Sequence, residues 1–82
     1  MINVDVYVPS LDRMYNFNLD EESGIAVLIE EISELICQKE HSSLDGEKNR
    51  FIMGSVDKKV NFNPRSSLRE YSVKNGEKLI LV

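Results

Sequence analysis

The chain is poor in several features that would decide its class at once. One cysteine among 82 residues rules out an internal disulfide, so nothing in the fold depends on an oxidising compartment. Two prolines and four glycines are too few for a collagen or a low-complexity linker. The longest apolar run, Ile25-Ala-Val-Leu-Ile29, falls far short of the roughly 18–20 residues of a membrane span, which argues against membrane insertion. The opening Met1-Ile-Asn-Val-Asp lacks the basic start and apolar stretch of a signal peptide. It reads as mature sequence from the first residue, with a cytoplasmic location expected. Tryptophan is absent and aromatics make up 7%, so an exposed stacking platform for single-stranded nucleic acid is not expected.

What is present suits a small globular protein. The length fits a single domain over residues 1–82, and 41% apolar residues can supply its core. Fourteen acidic against ten basic side chains leave a net charge of −4, which disfavours binding driven by phosphate contacts, so no nucleic-acid partner is expected. The charge is unevenly spread. Residues 1–47 hold eleven acidic and two basic groups (2 − 11 = −9), and residues 48–82 hold three acidic and eight basic (8 − 3 = +5). Two unlike faces are one outcome of such a split.

Periodicity sets the elements. Ile2, Val4, Val6 and Val8 alternate with polar residues up to Pro9, and Tyr15, Phe17 and Leu19 repeat that alternation, which predicts two strands joined through Ser10–Asp12 as a hairpin. Ile25, Leu28, Ile29, Ile32, Leu35 and Ile36 then follow helical spacing, predicting a helix from about Ser23 to Lys39 with Ser23 as N-cap. Asp20, Glu21 and Glu22 precede it, where the helix dipole favours them, and Val27 and Cys37 flank its buried stripe. Arg50–Met53 predicts a third strand and Val60–Phe62 a fourth, ended at Asn63-Pro64. Ser67 and Glu70 have capping-box spacing for one helical turn. Asn75-Gly76 predicts a turn before a last strand, Lys78–Val82. Five strands and one helix in this order make an α+β fold with the helix on one face of a mixed sheet.

That order, together with the run from Ser67 to Val82, resembles ubiquitin. Leu68, Tyr71, Val73, Leu79 and Leu81 fall at the spacing of ubiquitin core positions, and Phe17, Leu19, Ile25, Leu28, Ile32 and Arg50-Phe-Ile also fit. The resemblance implies a ubiquitin-like β-grasp fold, and for Tyr71 a hydroxyl that ties a neighbouring loop. Ubiquitin and the sulfur carriers of this fold end in a flexible diglycine tail, whereas this sequence stops at Leu81-Val82, so modifier or carrier chemistry is disfavoured. The closing Asn-Gly-Glu-Lys-Leu-Ile-Leu pattern is similar to the YukD/EsaB family, small ubiquitin-like accessories of type VII (WXG100, or Ess) secretion in Gram-positive bacteria. The resemblance implies a protein partner in that apparatus, with a membrane component as the candidate, and no conjugation.

No enzyme signature is found and no cofactor is implied. Cys37 and His41 are four residues apart at the helix end, but zinc takes four ligands and the chain has no other cysteine or histidine. Glu30, Glu31 and Glu34 belong on the solvated helix side rather than in a pocket that perturbs pKa; they form a second candidate surface. No glycine-rich phosphate loop is present. The leading candidate site is a protein-binding face. If Phe51, Met53, Leu79 and Leu81 point at the helix, alternation sends Ile52, Ile80 and Val82 to the other side of the sheet. Ile52 and Ile80 would form an apolar centre there, with Arg50 on the same face and one or more of Lys58, Lys59 and Lys78 nearby as a cationic rim. An apolar centre with a charged rim is the usual anatomy of an interface. The position of Ile52 also resembles the isoleucine at the centre of ubiquitin's binding face. An RNA-binding regulator using the basic second half is the remaining alternative. Composition leaves the oligomeric state open.

Overall fold

The computed structural model describes residues 1–40 and 51–82. His41 and Arg50 lie outside the described residues, so the expectations placed on them do too. The elements are β1 (Ile2–Val8), a 3-10 turn (Pro9–Leu11), β2 (Arg13–Leu19), α1 (Ile25–Glu40), β3 (Met53–Ser55), β4 (Val60–Asn61), a second 3-10 turn (Arg69–Tyr71) and β5 (Lys78–Leu81). The five strands form one sheet in the order β2-β1-β5-β3-β4. β1 runs antiparallel to β2, with Val4 opposite Phe17, and parallel to β5, with Val6 opposite Leu79. β3 runs antiparallel to both β5 and β4.

The period-2 pattern translates directly into burial. Val4, Val6 and Val8 are fully buried and Tyr15, Phe17 and Leu19 nearly so, while Asn3, Asp5 and Tyr7 lie on the opposite face. Pro9 ends β1, and Asp12 in the left-handed region (φ 50°) closes the 3-10 turn with its amide on the Pro9 carbonyl. Ile25, Leu28, Ile29, Ile32 and Ile36 of α1 join Met53, Leu68, Leu79 and Leu81 in one core.

The helix departs from expectation at two points. It starts at Ile25, and Ser23 does not cap it: the Ile25 and Ala26 amides donate to the Ser66 (2.8 Å) and Pro64 (3.0 Å) carbonyls, and those of Val27 and Leu28 to Gly24. Helix amides without an intrahelical partner need acceptors, and here a loop forty residues away in sequence supplies two of them. Leu35, expected in the buried stripe, is 44% exposed. It lies one turn before Lys39, whose ammonium is 5.9 Å from the centre of the Tyr15 ring, at the rim of the sheet. Val27 is exposed and Cys37 half-buried. Ser33 takes a core-facing place instead, its hydroxyl donating to the Ile29 carbonyl at 2.7 Å.

The third strand is shifted as well. It spans Met53–Ser55 rather than Arg50–Met53, although Ile52 and Val82 continue the ladder by exchanging both backbone hydrogen bonds (2.6 and 2.9 Å). The fourth is Val60–Asn61, with Phe62 buried just beyond it. Tyr71 takes the expected role. Its hydroxyl accepts from the Asn63 amide at 2.9 Å, and its ring packs on Phe62 with centroids 4.6 Å apart.

Candidate functional site

Strand alternation leaves the sheet face away from α1 without a covering layer among the described residues, and the register arranges it in rows. One row runs across all five strands: Met14, Tyr7, Ile80, Gly54 and Asn61 are successive partners from β2 to β4. Beside it Ile52 pairs with Val82. On the other side come Asn16, Asp5 and Lys78, then Asn18 and Asn3. One end of the face is therefore apolar and the other polar.

At the apolar end Ile52 is 47%, Val82 52% and Met14 48% exposed. Ile80 is half-buried, flanked in register by Tyr7 and Gly54. The direct neighbour of Ile52 is Val82, and Ile80 lies on the diagonal, a relation of about 7–8 Å between strands. The apolar centre is thus Ile52 with Val82, and Ile80 is its floor. Gly54 keeps the row shallow and cannot take a larger residue without movement: a Cβ there would lie 2.7 Å from the Val60 carbonyl oxygen.

The polar end is an asparagine network. The Asn3 amide donates to Asn16 Oδ1 (2.7 Å) and Asn18 Oδ1 (3.0 Å), and the Asn16 amide donates to Asn3 Oδ1 (2.7 Å) and Asp5 Oδ1 (2.9 Å). These donors and acceptors are spent on one another, which makes this end a poor competitor for a polar partner. Nearby, the Tyr7 hydroxyl donates to Asp12 Oδ1 at 2.9 Å. That bond, followed by burial and the Asp12 charge, pushes the phenol pKa upward.

The cationic rim is only partly as expected. Lys78 is exposed on this face in the row of Asp5, and Lys59 is exposed in the left-handed region (φ 55°) at the 56–59 turn. Lys58 is committed elsewhere. Its ammonium lies 2.7 Å from both carboxylate oxygens of Glu77, a buried side chain. Ser55 Oγ donates to Glu77 Oε2 (2.8 Å) and accepts from the Lys58 amide (3.1 Å), and the Lys74 amide reaches Glu77 Oε1 (3.2 Å). Burial pushes the Glu77 carboxyl pKa up, but the bonds from Lys58, Ser55 and Lys74 and the Lys58 charge outweigh it and hold it below the usual glutamate range. This clip pins the 56–59 turn to the loop before β5. Sequence spacing gave no sign of it, since Lys58 and Glu77 are nineteen residues apart.

Among the described residues no group of three or more histidine, cysteine or acidic side chains could hold a metal ion, and no helix is long and apolar enough to cross a membrane. Glu30, Glu31 and Glu34 are exposed along α1.

No family model matches the chain, and no curated protein does. Solved structures do match. The EccD5 ubiquitin-like domain from Mycobacterium xenopi superposes with a TM-score of 0.77 at 22% identity, covering 99% of this chain and 91% of that one. A ubiquitin-like domain of an Arabidopsis thaliana protein superposes at 0.72 with 15% identity, over 99% and 74% of the two chains. A chain from the crystal structure of ATBAG1 in complex with HSP70 matches at 0.73 with 13% identity, over all of this chain and 40% of that one. With the element order and sheet topology above, these matches establish the ubiquitin-like β-grasp fold.

Proposed function

We propose that this chain is a non-conjugating ubiquitin-like interaction module without enzymatic activity, which serves in the cytoplasm as an accessory or regulator of a Gram-positive type VII secretion system. It docks on a protein component of that apparatus through the outer sheet face. The observation that carries the docking role is the pairing of Ile52 and Val82, each about half exposed, with Met14 exposed on the same face. A cluster of exposed apolar side chains rimmed by polar ones is how interaction surfaces differ from the scattered apolar residues of any protein surface. Lys78, two rows away on the same face, and Lys59, on the turn beyond the far end of β3, are the exposed cations, and Arg50 is assigned to the rim from sequence alone. The secretion context rests on the resemblance of the closing pattern to the YukD/EsaB family.

The test is affinity capture from a Gram-positive bacterium that carries both this protein and a type VII apparatus, comparing the wild-type chain with the double variant Ile52→Asp, Val82→Asp. Recovery of a type VII membrane component by wild type and its loss with the variant is the expected result. Retention of the same component by a folded variant would remove the sheet face from the proposal. Recovery of no secretion component by wild type would remove the secretion assignment.

A further inference from the structure

Asn-Gly occurs once in the chain, at Asn75 and Gly76. The other six asparagines precede Val4, Phe17, Leu19, Arg50, Phe62 and Pro64. In an Asn-Gly pair the glycine nitrogen, once hydroxide has removed its proton, can attack the asparagine Cγ without steric hindrance. The C–N bond to the side-chain nitrogen breaks, ammonia leaves, and a five-membered succinimide remains. Water then opens either carbonyl, giving aspartate or isoaspartate. No cofactor or oxidant is needed.

In the folded chain both partners of this reaction are held by one residue. The Asn3 backbone N–H donates to Asn75 Oδ1 at 2.8 Å, and the Gly76 backbone N–H donates to the Asn3 main-chain carbonyl at 2.7 Å. The ladder between β1 and β5 starts only at Asp5 opposite Lys78, so the backbone groups of Asn3 on that side have no strand to meet. The turn supplies the missing rung, half from a side chain and half from the main chain, with Gly76 at φ 81° as the conformation requires.

We propose that Asn75-Gly76 is a latent self-modification site, a succinimide-forming pair that the rung to Asn3 keeps unreacted while the chain is folded. Ring closure needs the Gly76 proton, which is committed to the Asn3 carbonyl, and it needs Cγ of Asn75 to swing onto the Gly76 nitrogen, which breaks the bond from the Asn3 amide. That amide also polarises the side-chain carbonyl, an effect that favours attack. The two simultaneous bonds oppose it, because neither reacting atom can move toward the other until the rung opens. Reaction therefore proceeds from the locally opened chain and is slowed by the fraction of time the rung is closed. An isoaspartate at this position adds a methylene to the main chain just before β5, and so displaces Gly76 from the Asn3 carbonyl.

The full chain is incubated in mildly alkaline buffer, native and in urea, and conversion of each asparagine is followed by peptide mapping that separates aspartate from isoaspartate. Asn75 is expected to convert at least about tenfold more slowly in the native chain, through the cost of opening, and to outpace the other six in urea. Equal rates at Asn75 in the two conditions would overturn the proposal. Asn3→Pro deletes the donor to Asn75, and Asn3→Ala loses the same side chain while keeping that donor. The proline variant is expected to convert Asn75 several-fold faster than the alanine one. Should the proline variant not fold, hydrogen exchange at the Gly76 amide of the wild-type chain decides: protection supports the rung, and exchange at the free rate overturns it.

Discussion

The two faces of the sheet are made by the same strands and obey different logic. On the inner face of β1 every second side chain is a valine or isoleucine at 7% exposure or less, and each is there for one reason, removal of apolar surface from water. The outer face carries Asn3, Asp5 and Tyr7 on that same strand, and neighbouring strands divide it into an asparagine network at one end and Ile52 with Val82 at the other. An inner position can be judged from its own residue type. An outer one takes its meaning from the residues that the register sets beside it.

The largest effect that would sharpen this contrast is on the inner face. Leu79→Ala, at a fully buried position, is expected to cost about 2–5 kcal/mol in denaturant unfolding. The clip between Lys58 and Glu77, at the edge of the two faces' strands, comes next. Lys58→Met leaves the buried Glu77 carboxylate without its cation, a loss of about 3–5 kcal/mol for a fully buried pair; the lysine is 36% exposed, so solvent screening reduces the expected cost to about 1–3 kcal/mol. The same clip sets a pH dependence. Because the folded-state pKa of Glu77 lies below its unfolded one, its contribution is present above the unfolded value of about 4.3 and is lost as pH falls through the folded value. Wild type is therefore expected to lose stability more steeply than Glu77→Gln below about pH 4.5, with the two converging in acid.

A smaller effect is expected of Tyr71→Phe, which keeps the ring on Phe62 and deletes the acceptor for the Asn63 amide; unfolding titrations should show a loss of about 1 kcal/mol. The smallest belongs to the outer face. Ile52→Asp with Val82→Asp should move stability by about 1 kcal/mol or less, the range of strand propensity at exposed positions, while abolishing partner capture. A loss as large as that of Leu79→Ala would break the comparison, by showing that the apolar end of this face is structural.

How much could be read in advance differs residue by residue. Val4, Phe17, Leu28 and Leu79 were legible because burial on one face has a period, and period is a property of sequence. The Tyr71 tie was legible through the resemblance to ubiquitin, and the structure places its hydroxyl on Asn63. Ser23 misled because a good capping residue near a helix start does not reveal the carbonyls of Pro64 and Ser66, which reach the same amides from a distant loop. Leu35 misled because helical spacing carries no mark of where the sheet beneath ends. Ile80 was assigned to the correct face with too much exposure. Lys58 was placed among the cations near the outer face, and the buried carboxylate that holds it instead comes from the loop before β5.

What the sequence by itself determined is the set of elements and the direction in which each buries its apolar side, since both follow from alternation, spacing and turn chemistry within short stretches of chain. What only the tertiary structure decided is which distant residues meet: Lys58 with Glu77, Asn3 with Asn75, Ile52 with Val82, and the 64–66 loop with the start of the helix. The physical reason is that hydrophobic patterning is local and additive, whereas a hydrogen bond or an ion pair exists only when strand order and register bring both partners within about 3 Å. The same register turns an exposed isoleucine on β3 and an exposed valine after β5 into one candidate surface.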